Sequence, residues 1–216
     1  GAYVFITGRR KDVLDDAVEH IGRNVTGVVA DSANLDDLDH LYEVVKNEKG
    51  SIDVLYASAG LGEPMTIGEV TLEHYERQFN LNTRGTLFTV NKAIPLFNDG
   101  GSILMTGSIA SVKGWPGWSV YAASKAALHA FARGWLSDLK DRNIRVNVLS
   151  SGQVGTETML ATLQDEATKA AFEAMIPRGK MGTAQEIANV ALFLASNDSS
   201  YVNGMELKVD GGLSSI

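Results

Sequence analysis

The 216 residues carry a net charge of −7, with 44% hydrophobic and 21% charged side chains, enough chain and apolar content for one domain with a substantial core. The acidic balance argues against a nucleic-acid surface, which needs a basic excess, and the absence of cysteine excludes disulfides, thiolate catalysis and cysteine-ligated zinc. No apolar run reaches the roughly 18 residues that span a bilayer. No cleavable signal pattern is visible, since Arg9-Arg10 follows the first apolar run rather than preceding it. A cytoplasmic location, with no membrane or nucleic-acid partner, is expected.

Strand-like and helix-like segments alternate along the chain. A short apolar run at 3–7 reads as a strand, 11–21 as a helix and 27–30 as a strand. A helix at 35–47 leads into a strand at 52–57, a long helical pattern at 72–97 and a strand at 102–106. The spacing then predicts a helix over 121–141, a strand at 145–149, a less regular stretch to Gly182, a helix at 185–195 and a strand at 206–209. This order defines an α/β fold: a Rossmann-like, doubly wound parallel sheet with helices on both faces, in a single domain spanning residues 1–216. Ligands of such sheets bind beyond the carboxyl ends of the strands, so chemistry is sought just after each strand.

After the first strand come Gly8, Arg9 and Arg10. Arginine near this point of a dinucleotide fold suits a ribose 2′-phosphate, which its planar fork of donors grips; two solvated arginines opening a helix are the plainer reading. The second strand leads to Asp31 and Ser32, where a carboxylate suits an adenine amino group or simply a turn or helix cap. The stretch Ala57-Ser58-Ala59-Gly60 lets backbone approach a cofactor closely, or makes a tight turn. Past the strand at 102–106 lies Ser108, and thirteen residues further on is Tyr121-Ala122-Ala123-Ser124-Lys125. The (i, i+4) spacing puts Tyr121 and Lys125 on one helix face. An isolated phenol has a pKa near 10, and a neighbouring ammonium favours the phenolate, bringing it toward neutral-pH acid–base work. Taken alone, such a pair is an ordinary surface pair.

Together with Asn82 in Asn80-Leu81-Asn82-Thr83-Arg84-Gly85, with Arg145-Val146-Asn147-Val148, with Ser151-Gly152-Gln153-Val154-Gly155-Thr156 and with Val209-Asp210-Gly211-Gly212, these motifs give a chain that resembles the short-chain dehydrogenase/reductase family over its whole length. The resemblance implies an NADP(H)-dependent oxidoreductase, with NAD as the other possible cofactor, moving a hydride between nicotinamide and an alcohol or carbonyl. It makes Tyr121 the general acid/base, Lys125 the group that lowers its pKa and binds the nicotinamide ribose, Ser108 the holder of the substrate oxygen and Asn82 the holder of a relay water. It places Arg9, Arg10, Asp31, Ser32, Ala59, Gly60, Val154 and Thr156 along the cofactor, makes 156–181 a substrate lid, and implies a homotetramer. No metal is implied, and the four histidines have no ligand spacing.

The sequence departs from the family's pattern at several points. Ala57 and Ser58 stand where the family has asparagines, and Ser151 where it has proline. The glycine-rich loop, the strand before it and the helix after it have no counterpart ahead of residues 3–7. About 30 residues, one such unit, are therefore expected before Gly1, with residues 3–7 and 52–57 as flanks of the strand they would supply. The alternative function is a non-catalytic scaffold or nucleotide sensor lacking the phosphate loop. Trp115, Pro116 and Trp118 are expected to wall the substrate pocket. With them go Met159, Leu160, Leu163, Phe172 and Met175 of the lid, which equally suit core or oligomer contacts.

Overall fold

A computed structural model describes residues 1–163 and 165–216. Gln164, within the expected lid, lies outside the described residues. The strands are β1 (Val4–Gly8), β2 (Val25–Val29), β3 (Ile52–Ala57), β4 (Phe97–Ser108), β5 (Arg145–Ser151) and β6 (Glu206–Val209). The helices are α1 (Lys11–Ile21), α2 (Leu35–Glu48), α3 (Leu72–Phe79), α4 (Thr86–Ala93), α5 (Ser119–Asp138), α6 (Glu157–Thr162), α7 (Glu166–Ala174) and α8 (Ala184–Ala195).

All pairings are parallel. They form two hydrogen-bonded sets, β1–β2 and β3–β4–β5–β6. Among the described residues β1 pairs only with β2, and β3 only with β4, in line with the expectation that 3–7 and 52–57 are not direct neighbours. Both free edges carry exposed apolar side chains, Tyr3 and Val4 on one and Val54 and Tyr56 on the other. One core nevertheless joins the two sets, since Val28 of β2 is buried with Leu38 and Val45 of α2, Val90 of α4 and Leu128 of α5.

Strand alternation explains how β4 and β5 carry helices on both faces. Ile103, Met105, Val146 and Val148 bury against α4 and α5. Leu104 and Leu149 point the other way, onto Leu194 of α8. Polar side chains start the helices where the sequence supplies them: Asn34 caps α2, Thr71 caps α3, and Thr183 with Glu186 forms a capping box on α8.

The long helical pattern at 72–97 is not one helix. It breaks into α3, a π-helical segment at Asn80–Gly85, α4 and a short 3-10 turn at Ile94–Leu96, and β4 starts at Phe97. A π-segment lets one extra residue bulge from a helix. Here it turns Asn82 inward, fully buried, and sets the backbone of Gly85 so close to Ser32 that a Cβ would lie 2.7 Å from the Ser32 carbonyl oxygen. No helix among the described residues is long and apolar enough to cross a membrane.

Candidate active site

The carboxyl end of β4 and the first turns of α5 meet at one point. Ser108 ends β4, and its Oγ accepts from the Ala110 amide at 3.2 Å, which leaves the hydroxyl proton free to donate toward a ligand. Tyr121 and Lys125 stand one turn apart on the buried side of α5. Lys125 is 2% exposed, and its Nζ donates to the Thr106 carbonyl of β4 at 2.8 Å. The loop after β3 closes over this ammonium: a Cβ on Gly60 would lie 2.9 Å from Lys125 Nζ and 3.4 Å from Asn82 Oδ1. Only glycine fits there without displacing the ammonium.

Asn82 locks that loop. Its Oδ1 accepts from the Leu61 amide at 2.8 Å, and its Nδ2 donates to the Leu61 carbonyl at 2.8 Å and to Ser124 Oγ at 2.9 Å. Ser124 Oγ in turn donates to the Tyr121 carbonyl at 2.7 Å. Both amide protons of Asn82 are thus engaged within the protein, and its side chain clamps the loop to α5.

Electrostatics follow from burial. Desolvation lowers the Lys125 pKa from 10.5 to about 8. Desolvation raises the Tyr121 phenol above its ordinary value, and the Ser108 hydroxyl beside it pulls the other way. The expectation that Lys125 depresses the Tyr121 pKa is corrected here: burial of the phenol outweighs every opposing influence, and the Lys125 ammonium is aimed at the Thr106 carbonyl.

The remaining expected residues form two further groups. Arg9 and Arg10 follow β1, and Asp31 and Ser32 follow β2. Arg9 Nη1 lies 3.8 Å from Asp31 Oδ2, with 73% of the arginine side chain exposed. Asp31 also makes the anticipated turn, its Oδ1 accepting from the Ala33 amide at 2.9 Å, while Asn34 supplies the helix cap. Val154 and Thr156 lie beyond β5, whose Ser151 is in register with Ser108. Val154 bridges to Gly182, and Thr156 caps α6 through the Met159 amide. Trp115 packs with Ile109, Ile176 and Met181, and Met159 and Leu163 of the expected lid join the same cluster.

The donor set fits a nicotinamide nucleotide. An open cleft of about 520 Å³ between the end of β1 and α1 has Arg9 and Arg10 on its wall, and separately the exposed Ala59-Gly60 backbone after β3 lies over Lys125. Sequence reasoning missed the Thr106 carbonyl, Leu61, Gly62 and the hydroxyl of Ser124. Ser124 was in view inside the Tyr121–Lys125 motif, and Gly62, two residues after Gly60, was the visible sign of a second close backbone approach.

Comparison with known proteins agrees with this geometry. A family model described as enoyl-(acyl carrier protein) reductase matches residues 1–214. The chain is 44% identical to "Oxidoreductase asL5" of Sarocladium schorii, covering 100% of this chain and 87% of that protein. It is 34% identical to the 3-oxoacyl-[acyl-carrier-protein] reductase FabG of Thermotoga maritima, covering 99% and 88%. Among solved structures, a blue fluorescent protein from a metagenomic library, in complex with NADPH, superposes with a TM-score of 0.90 at 34% identity, covering 99% of this chain and 88% of that one. The chain belongs to the short-chain dehydrogenase/reductase family of oxidoreductases.

Proposed function

We propose that this protein is an NADP(H)-dependent oxidoreductase that interconverts an alcohol and a carbonyl compound, with Tyr121 as general acid in reduction and general base in oxidation. The observation that carries the reading is the convergence of Ser108, Tyr121 and buried Lys125 at the end of β4. Bound nicotinamide supplies the hydride chemistry. The chain's own residues bind, orient and move the proton. Ser108 donates its hydroxyl to the substrate oxygen, and Tyr121 Oη gives that oxygen its proton. Lys125, with a pKa of about 8, holds positive charge at neutral pH beside the phenol and binds the nicotinamide ribose. Asn82 keeps the 60–62 backbone over Lys125.

Arg9 and Arg10 take the 2′-phosphate, Asp31 and Ser32 the adenine, Ala59 and Gly60 the backbone path between them, and Val154 and Thr156 the carboxamide. NADPH in the superposed neighbour supports the preference for NADP(H). The expected homotetramer draws support from apolar side chains left exposed on α8 and beside β6, namely Leu192, Tyr201 and Met205.

The test is Tyr121→Phe in the full-length protein, assayed with NADPH against a panel of carbonyl compounds. Turnover falls by about a thousandfold or more, while NADPH still binds by cofactor fluorescence. Turnover that survives the substitution overturns the assignment.

A further inference from the structure

The backbone between β3 and α3 forms a strap across the start of α5. Leu61 is tied through both its amide and its carbonyl to Asn82. The Glu63 carbonyl accepts from Gln78 Nε2 at 3.2 Å, and the Met65 amide donates to the Gly117 carbonyl at 2.8 Å. Bonded at 61, 63 and 65, the strap is fixed to the α3 side and to the loop that enters α5. Gly62, at its middle, touches two rings: a Cβ there would lie 2.9 Å from Trp118 Cζ3 and 3.2 Å from Cδ2 and Cε2 of Tyr121. Trp118 immediately precedes α5, and its ring meets that of Tyr121 edge-on, with centroids 5.4 Å apart and planes at 76°. That is the favoured edge-to-face arrangement of two aromatic quadrupoles.

The phenol therefore has the strap backbone against one part of its ring and the indole against another. We infer that Trp118 is a positioning residue for Tyr121: indole and Gly62 backbone together hold the phenol in the one orientation that carries its hydroxyl to Ser108, and they shield the ring from water. Neither group needs to touch the reacting atoms to act this way. A smaller side chain at 118 leaves the phenol free to swing and admits water to it. A larger one at 62 wedges the ring away from the strap. A displacement of about 1 Å at a reacting group lowers rate by up to about a hundredfold.

The experiment uses full-length protein labelled with ¹³Cζ-tyrosine, the Tyr121 resonance being assigned by its loss in Tyr121→Phe. In the parent protein Tyr121 titrates above an exposed phenol, because burial raises it. Trp118→Leu brings the midpoint down toward the free value near 10 and lowers kcat about ten- to a hundredfold, with a smaller change in KM. Trp118→Phe, which keeps an aromatic edge, restores most of both. Gly62→Ala, with Trp118 intact, shifts the Tyr121 resonance. Should Trp118→Leu not fold, Gly62→Ala carries the test against the parent. An unchanged Tyr121 midpoint and shift in Trp118→Leu, or an unchanged Tyr121 resonance in Gly62→Ala where that variant stands alone, overturns the inference. Its catalytic consequence rests on Tyr121 being the acid/base. The resonance does not, so a failure of that reading, seen as turnover in Tyr121→Phe, is a separate result.

Discussion

The β1–β2 edge and the β3–β6 body handle polar side chains in opposite ways. In the body they are buried and held several times over. Asn82 and Ser124 are fully buried with partners on other elements, and Lys125 is fixed to a strand carbonyl. At the edge, Arg9 is mostly exposed with one long contact to Asp31, and Arg10 forms no ion pair among the described residues. Exposed pairs of this kind contribute little to stability, so such arginines remain available to a ligand's charge. On the proposed reading, the groups assigned to proton transfer sit in the interior, whereas those assigned to a nucleotide's charge are exposed side chains at a rim. Substitutions in the two regions should therefore differ in kind: in the body they change turnover and stability together, at the edge affinity alone.

Lys125→Met should give the largest effect and the clearest test of that contrast. Turnover is expected to fall about a thousandfold, yet the protein should become harder to unfold. An unfolded lysine keeps its proton to 10.5, and the folded Lys125 only to about 8. Between those values stability rises with pH, and below about 8 the whole cost of burying the ammonium is present. Removing the charge should raise stability at pH 7 by about 2 kcal/mol, after allowing for the Thr106 carbonyl losing its donor. The gain should shrink as pH climbs from 8 toward 10.5. Urea unfolding midpoints at pH 7 and pH 10 measure it. A lower midpoint at pH 7 would mean that the hydrogen bond outweighs desolvation, and the contrast drawn here would fail.

The same contrast marks what the sequence could reveal. The Tyr121–Lys125 face was legible because helix periodicity fixes it, and the parallel order followed from alternating periods with turn residues between them. The π-segment at Asn80–Gly85 was not, because its cause is tertiary: Asn82 bonds to Leu61, and the Gly85 backbone presses on Ser32. Nor was the direction of the Tyr121 shift. The spacing brings an ammonium into view but says nothing of the Thr106 carbonyl that engages it, nor of the backbone and indole that keep water from the phenol. Backbone partners leave no mark in a side-chain motif. At the edge the situation reverses. Arg9 and Arg10 were readable as charges at a strand end, and the structure adds to them only position and exposure.

Arg9→Gln is expected to act on affinity alone, and more modestly. Loss of one charge-assisted contact to a 2′-phosphate should weaken NADPH binding about tenfold, with NADH binding and the unfolding midpoint unchanged. Fluorescence titration with both nucleotides in the full-length protein measures the ratio. An equal loss for NADH would show that Arg9 contributes to the fold of the edge rather than to the phosphate.

The smallest expected effect lies in the body and depends on pH. His129, two turns along α5 from Tyr121, sets its Nδ1 3.3 Å from Glu206 Oε2 of β6. Its Nε2, together with Ser150 Oγ on β5, is buried without a hydrogen-bond partner among the described residues. Desolvation holds the His129 pKa below its ordinary 6.5, with Arg133 and Lys208 acting the same way and Glu206 opposing them. A histidine whose folded pKa is depressed binds its proton more readily in the unfolded chain. Its contribution is complete above about 6.5 and is lost as pH falls toward the folded value. His129→Gln should therefore flatten the decline in unfolding midpoint between pH 7 and pH 5 relative to the parent, with all other titrating groups common to the two proteins. If the two curves run parallel, the imidazole is not being desolvated between α5 and β6. A parent that instead grows more stable toward pH 5 would show that attraction to Glu206 outweighs burial.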